Sequence, residues 1–166
     1  MLVKPKLGIS QCLLGDLVRY DGQHKRDQRL IEALDSLVSW VPVCPEVECG
    51  LSVPREPMHL VGDVSRVRLV TKKDAVDLTD QLLAWCDRRV EQLGHEKLAG
   101  FVFKSRSPSC GLLAVPVCDP AGHAQTVGQG LFAKALTSRF PELLVAEDEE
   151  LHAPDELKSF IKRLLD

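Results

Sequence analysis

Three cysteines sit in similar surroundings: Cys12 in Ser10-Gln11-Cys12-Leu13-Leu14-Gly15, Cys44 in Val43-Cys44-Pro45-Glu46, and Cys110 in Ser107-Pro108-Ser109-Cys110-Gly111. Each lies in a turn marked by Gly or Pro, just after an apolar run of strand-like composition. Parallel strands deliver their following loops to one edge of a sheet, so loops far apart in sequence can bring their sulfurs together. Three thiolates suit a metal cluster that keeps one coordination position open. Spacing by itself does not separate this arrangement from three unrelated core cysteines.

The other three cysteines read differently. Cys86 falls on the apolar stripe of a helical segment, where a free thiol behaves as a small hydrophobe. Cys118 ends a strand beside a turn and suits a packing role. Cys49 follows Cys44 by five residues. It could serve as a further ligand or carry a transferred sulfur, although this is not a common metal-knuckle spacing. His24, His59, His95, His123 and His152 have no ligand spacing among themselves and read as surface residues or local hydrogen-bonders.

These side chains need a scaffold, and composition bounds it. With 166 residues, 45% of them hydrophobic and 27% charged, the chain suits one globular α/β domain over 1–166. A net charge of -3 removes the electrostatic case for a duplex nucleic-acid partner. No apolar run approaches the span of a bilayer, and Met1–Lys6 is not followed by a signal-peptide core, so a cytoplasmic protein is expected. In that reducing compartment six cysteines suggest ligation or catalysis rather than disulfides.

The apolar pattern places the elements. Strands are expected at 7–11, 41–43, 98–103, 112–117 and 143–145. Helices are expected at 26–39, 74–93, from Gly128-Gln129-Gly130 through Arg139, and at 155–164. Residues 50–71, interrupted by Pro54, Pro57 and Gly62, read as an excursion with a small hairpin, and 119–122 as a turn. The alternation implies a three-layer α/β domain with a largely parallel central sheet flanked by helices.

Longer motifs surround the cysteines: Cys12-Leu13-Leu14-Gly15 with Val18-Arg19-Tyr20-Asp21-Gly22, Val43-Cys44-Pro45-Glu46-Val47 with Pro54-Arg55, Lys104-Ser105-Arg106-Ser107-Pro108-Ser109-Cys110-Gly111, and Gly128-Gln129-Gly130-Leu131-Phe132. In this order they resemble the DUF523 family, whose characterised members are thiouracil desulfidases. The resemblance implies a 4Fe-4S cluster on Cys12, Cys44 and Cys110 with one open iron. Relatives often carry a non-thiol residue at Cys49, so it is not expected to be a ligand. The stretch from Leu131 through Pro141 looks like longer members that continue into a second domain, which this chain is not expected to contain.

The implied reaction is non-redox desulfuration of a thiolated pyrimidine, 4-thiouracil or its nucleoside or nucleotide, to the oxo form and hydrogen sulfide. Glu46, next to Pro45 and two residues after a ligand, is placed to move the protons that water addition requires, or else to cap a nearby amide. Ser107 resembles the family's second catalytic residue, with Ser105 and Ser109 as alternatives in the same turn. Tyr20 could stack on a pyrimidine, and Arg55 and Lys104 could supply positive charge. Gly128 and Gly130 either let helix-terminal amides hold a 5′-phosphate or serve tight packing. A monomer or homodimer without membrane partners is expected. The rival readings are a sulfurtransferase with a persulfide on Cys49, and a non-catalytic zinc or Fe-S sensor module.

Overall fold

The computed structural model describes residues 2–166. The chain begins with β1 (Lys6–Ser10), α1 (Gln28–Leu34), β2 (Ser39–Val43) and the single turn α2 (Pro45–Glu48). It continues through β3 (Met58–Asp63), β4 (Arg66–Thr71), α3 (Thr79–Glu96) and β5 (Gly100–Phe103). It closes with β6 (Val115–Cys118), β7 (Ala124–Gly128), α4 (Leu131–Arg139), β8 (Leu144–Glu147) and α5 (Pro154–Leu165). No helix among the described residues is long and apolar enough to cross a membrane.

The expected central sheet is present, all parallel, in the order β2-β1-β5-β8. Its middle strands are apolar on both faces, as a sheet covered on both sides requires. Leu7, Ile9, Val102 and Ala146 pack against Leu30 and Leu34 of α1 and Leu157, Phe160 and Leu164 of α5. Phe101, Phe103 and Val43 pack on the opposite side with α3 and α4. Gly8 makes this second layer possible: a Cβ there would lie 2.2 Å from a Phe101 ring carbon. The Phe101 ring stands 5.5 Å from Phe132 of α4, edge to face.

A second, mixed sheet, β4-β3-β6-β7, shares the core formed with α3 and α4 through Leu60, Leu69, Val115 and Val117. The expected hairpin is therefore half of this sheet: β3 pairs antiparallel with β4 and parallel with β6. β7 was not expected.

Two helices are shorter than periodicity suggested. α1 cannot begin at Arg26, because the Asp27 carboxylate accepts the Leu30 amide at 3.0 Å and caps the helix. α3 begins at Thr79 because the residues before it turn back onto β4. Ala75 adopts φ +52°, the Thr71 amide donates to the Val76 carbonyl, and Thr79 Oγ1 accepts the Leu69 amide at 2.7 Å.

Candidate active site

β2, β1 and β5 are neighbours, so the loops leaving their carboxyl ends lie side by side. Cys12 sits in the 3₁₀ turn Gln11–Leu14 after β1, Cys44 immediately follows β2, and Cys110 lies in the loop between β5 and β6. All three line one cleft of about 920 Å³, together with Glu46, Ser107, Tyr20 and Lys104. The sequence expectation that strand topology gathers the three loops holds geometrically.

Inside this edge the thiols are poorly solvated. Burial pushes Cys12 up to about 11; Lys104 and Arg19 oppose the rise and Cys44 adds to it. Burial also raises Cys44, against amide hydrogen bonds from Val47 and Glu46. Cys110 is raised well above an ordinary thiol, burial leading, with Cys12 and Cys44 adding and a Ser10 hydrogen bond opposing. Cys44 thus makes Cys12 harder to ionise, and both make Cys110 harder to ionise, effects that a cation among them would reverse. The donor set, three soft sulfurs with hydroxyl and amide donors around them, fits an iron–sulfur cluster.

Two carboxylates follow Cys44, and the structure separates their tasks. Glu48 Oε2 accepts the Cys44 amide at 2.8 Å, and its Oε1 accepts from Arg89 Nε at 3.0 Å. Glu48 is therefore the cap of α2, and Glu46 is free to face the cleft. Glu46 Oε2 accepts from Ser109 Oγ at 3.3 Å, and Oε1 meets Arg55 Nε at 3.4 Å. Ser107 Oγ lies 3.1 Å from Ser109 Oγ and accepts the Ser109 and Cys110 amides at 3.3 and 3.1 Å. With its acceptor positions on amides and the Ser109 hydrogen given to Glu46, the Ser107 hydroxyl donates its one hydrogen to Ser109 Oγ. Ser109 is fully buried and links Ser107 to Glu46 rather than facing the cleft. Arg106, at φ +61°, turns the loop that presents these serines.

Other expected site residues divide. Tyr20 stands half-exposed at the cleft's lip, with the Arg19 guanidinium 5.4 Å from its ring centre. Gly22 donates to the Arg19 carbonyl and closes a β-turn over residues 19–22. Lys104 Nζ donates to Ser105 Oγ at 3.1 Å and lies 3.5 Å from Asp148 Oδ2. Arg55 is drawn inward onto Glu46 and backbone carbonyls.

The phosphate-cradle reading of Gly128 and Gly130 is corrected. The amides of Leu131 and Phe132 donate to the carbonyls of Pro108 and Ser109, at 3.2 and 2.9 Å, and the Ala133 amide also reaches Ser109. The start of α4 thus has its donors occupied by the Cys110 loop. A Cβ on Gly130 would lie 2.5 Å from the Ser109 carbonyl carbon, and one on Gly128 would lie 2.5 Å from Val117. Close packing is their function.

Cys49 is not among the residues lining the cleft; its thiol donates to the Glu46 carbonyl at 3.2 Å. Cys86 is buried as expected, and Cys118 is partly exposed with its sulfur 3.7 Å from His59 Nδ1. His152 is more than a surface residue: Nε2 meets Asp27 Oδ2 at 2.8 Å on the cleft wall. Sequence reasoning missed Ser10, which accepts the Lys104 amide at 2.9 Å, and Asp148, which accepts the Ser105 amide at 2.8 Å. Asp148 follows β8 directly, so the rule that ligand loops lie at carboxyl strand ends could have flagged it.

Three thiols and a carboxylate brought to the carboxyl edge of a parallel sheet define an α/β protein whose cleft carries a donor set suited to a metal centre. Comparison with known proteins makes the class specific. A family model described as 2-thiouracil desulfurase matches residues 7–148, and the chain belongs to that family. The chain is also 28% identical over 109 residues to the uncharacterized protein YbbK of Bacillus subtilis (strain 168), covering 62% of this chain and 71% of that one. The solved structure of a 4Fe-4S-dependent thiouracil desulfidase, TudS, matches with a TM-score of 0.74 at 28% identity, covering 94% of this chain and 97% of that one. The protein is thus an enzyme of the thiouracil desulfidase kind, on the same fold.

Proposed function

We propose that the protein hydrolyses the exocyclic C–S bond of a thiolated pyrimidine in the cytoplasm, giving the oxo pyrimidine and hydrogen sulfide. The observation that carries this reading is the convergence of Cys12, Cys44 and Cys110 with Glu46 in one cleft at the sheet edge. The three thiols would hold a 4Fe-4S cluster. When bound, it supplies a Lewis-acidic iron, free of protein ligands, for the substrate's soft sulfur.

The chain's own residues supply positioning and proton movement. Water adds to the carbon bearing sulfur, with Glu46 accepting its proton. Ser107, on the cleft wall, donates to Ser109 and Ser109 donates to Glu46, so the serine pair orients the carboxylate that meets the water. As the C–S bond breaks, both protons of the water pass to the departing sulfur and its oxygen stays on carbon. The reaction is therefore C=S plus H₂O to C=O plus H₂S, without an oxidant or reductant. Tyr20 offers a stacking face for the ring at the cleft's lip, and Lys104 holds positive charge beside Cys12. Lys25, Arg29 and Lys72 also line the cleft and are engaged in no ion pair among the described residues. This basic rim favours a nucleotide over the bare base.

The test is anaerobic purification followed by incubation with 4-thiouracil, 4-thiouridine and its monophosphate. Loss of thiocarbonyl absorbance with stoichiometric sulfide, from protein carrying about four irons per chain, is expected. Iron-loaded protein that releases no sulfide from any of the three would refute the reading.

A further inference from the structure

Arg55 is permanently charged, yet its side chain is only 7% exposed. A buried guanidinium is tolerated when its donors are matched, and Arg55 finds partners on three segments. Nε faces Glu46 Oε1 at 3.4 Å, Nη1 donates to the Ser52 carbonyl at 3.1 Å, and Nη2 donates to the Val18 carbonyl at 2.8 Å. Its backbone amide also donates to the Tyr20 carbonyl at 2.8 Å. No buried side-chain nitrogen or oxygen among the described residues lacks a partner. Val18, Arg19 and Tyr20 form one wall of the cleft, and Glu46 lies on its inner side.

We propose that Arg55 is a positioning residue that clamps this wall to Glu46. The inference rests on the desulfidase reading for its kinetic consequence. Arg55 on Oε1 and Ser109 on Oε2 hold the Glu46 carboxylate from two sides, setting the plane in which it meets water. The same guanidinium carries the wall bearing Tyr20, so ring stacking and carboxylate orientation share one support. This differs from a charge presented to substrate, which a lysine could replace: a lysine ammonium cannot reach three acceptors in the planar fork that Arg55 uses.

The experiment compares Arg55→Lys, Arg55→Gln, Glu46→Gln and the Arg55→Gln/Glu46→Gln double variant at equal iron content, with limited trypsin cleavage after Arg19 as a second readout. Lys should restore little: both Arg55 variants should lose about 10- to 100-fold in kcat on 4-thiouracil. The double variant should be within about 3-fold of Glu46→Gln alone, because Arg55 acts through that carboxylate. Both Arg55 variants should speed cleavage after Arg19, whereas Glu46→Gln should not. Wild-type turnover in Arg55→Lys, multiplying losses in the double variant, or unchanged proteolysis would each overturn the clamp. If wild-type enzyme turns over no thiopyrimidine, the desulfidase reading falls and proteolysis alone decides the clamp.

Discussion

Replacing Gly130 by Ala adds one methyl group where the backbone of the Cys110 loop already lies. The new Cβ would stand 2.5 Å from the Ser109 carbonyl carbon, 2.6 Å from its oxygen and 2.7 Å from the Cys110 nitrogen, where ordinary contact begins at 3.4 Å. Neither side yields freely, because the Gly130, Leu131 and Phe132 amides bond to the carbonyls of Gly111, Pro108 and Ser109 at 2.7, 3.2 and 2.9 Å. Overpacking of this kind costs about 1–3 kcal/mol, and weakening one or two such bonds adds about 1 kcal/mol each. A loss of about 2–5 kcal/mol should lower the melting temperature by about 5–15 °C in a domain of this size. Because the displaced atoms belong to Cys110 and its neighbour, iron loading should fall as well. The assay is thermal melting of metal-free protein together with iron content after anaerobic reconstitution. Gly122→Ala is the control: its φ of +86° strains an alanine, but a Cβ there meets nothing within 4 Å. It should cost about 1–2 kcal/mol and leave iron unchanged. A Gly130→Ala protein that melts with wild type, binds full iron and loses only nucleotide affinity would restore the phosphate reading.

Alanine at Cys12, Cys44 or Cys110 should abolish iron content, while alanine at Cys49, Cys86 or Cys118 should keep it; an iron-loaded Cys110→Ala protein would sink the site. Glu46→Gln should cut turnover by about 10²-fold with the iron spectrum intact, whereas Glu48→Gln should lower stability by about 1 kcal/mol and leave turnover within a few-fold. Near-equal kinetic losses in the two variants would mean that the carboxylates are not divided as described. Burial pushes Cys86 up to about 12, with Asp87 and Cys49 adding. Its neutral thiol therefore favours the folded state below the unfolded thiol's value near 9, and this contribution is lost as pH rises toward 12. Between pH 9 and 11, denaturant titrations should show wild type losing more stability than Cys86→Ala, and parallel losses would contradict the shift.

The central layer was legible because its strands leave little ambiguity: Leu7-Gly8-Ile9 and Gly100-Phe101-Val102-Phe103 are apolar on both faces, a pattern suited to a covered parallel sheet. The second sheet was harder to read. β7 carries few strongly apolar residues, with Val127 59% exposed, so its existence depends on pairing with β6 rather than on its own pattern. The cysteine loops were legible as motifs, and topology explains why they meet. Gly128-Gln129-Gly130 was ambiguous in principle, since helix-entry glycines admit either an anion or another backbone, and the carbonyls that arrive there come from twenty residues upstream. Glu46 and Glu48 share one turn and look alike in sequence. The capping-box spacing counted from the N-cap Cys44 falls on Val47, so the sequence rule does not divide them, and it is the structure that shows Glu48, four residues on, reaching back to the Cys44 amide. Arg55 could be recognised as a charge near the site, but not as one directed inward, because its acceptors are backbone carbonyls that carry no side-chain signature.

The three cysteines proposed as ligands are held in place by the chain's own hydrogen bonds. The Cys12 carbonyl accepts the amides of Gly15 and Lys25, at 3.3 and 2.9 Å, tying its turn to the approach to α1. The Cys44 amide is held by Glu48, which Arg89 of α3 anchors in turn. The Cys110 loop rests on the first turn of α4 and closes on itself through Gly111 and Ser107. Loading of the proposed cluster would therefore meet a scaffold already shaped by two sheets and their helices, unlike small domains whose metal binding free energy is their folding free energy. What loading must supply is chemical: three buried thiols raised above their usual range have to release protons. The positive side chains near Cys12 and Cys44, chiefly Lys104 and Arg55, favour that step and then face the resulting thiolate charge. The same loops that hold three sulfurs at a sheet edge also hold Glu46 beside them, so the proposed ligand geometry and proton transfer would depend on one set of loops.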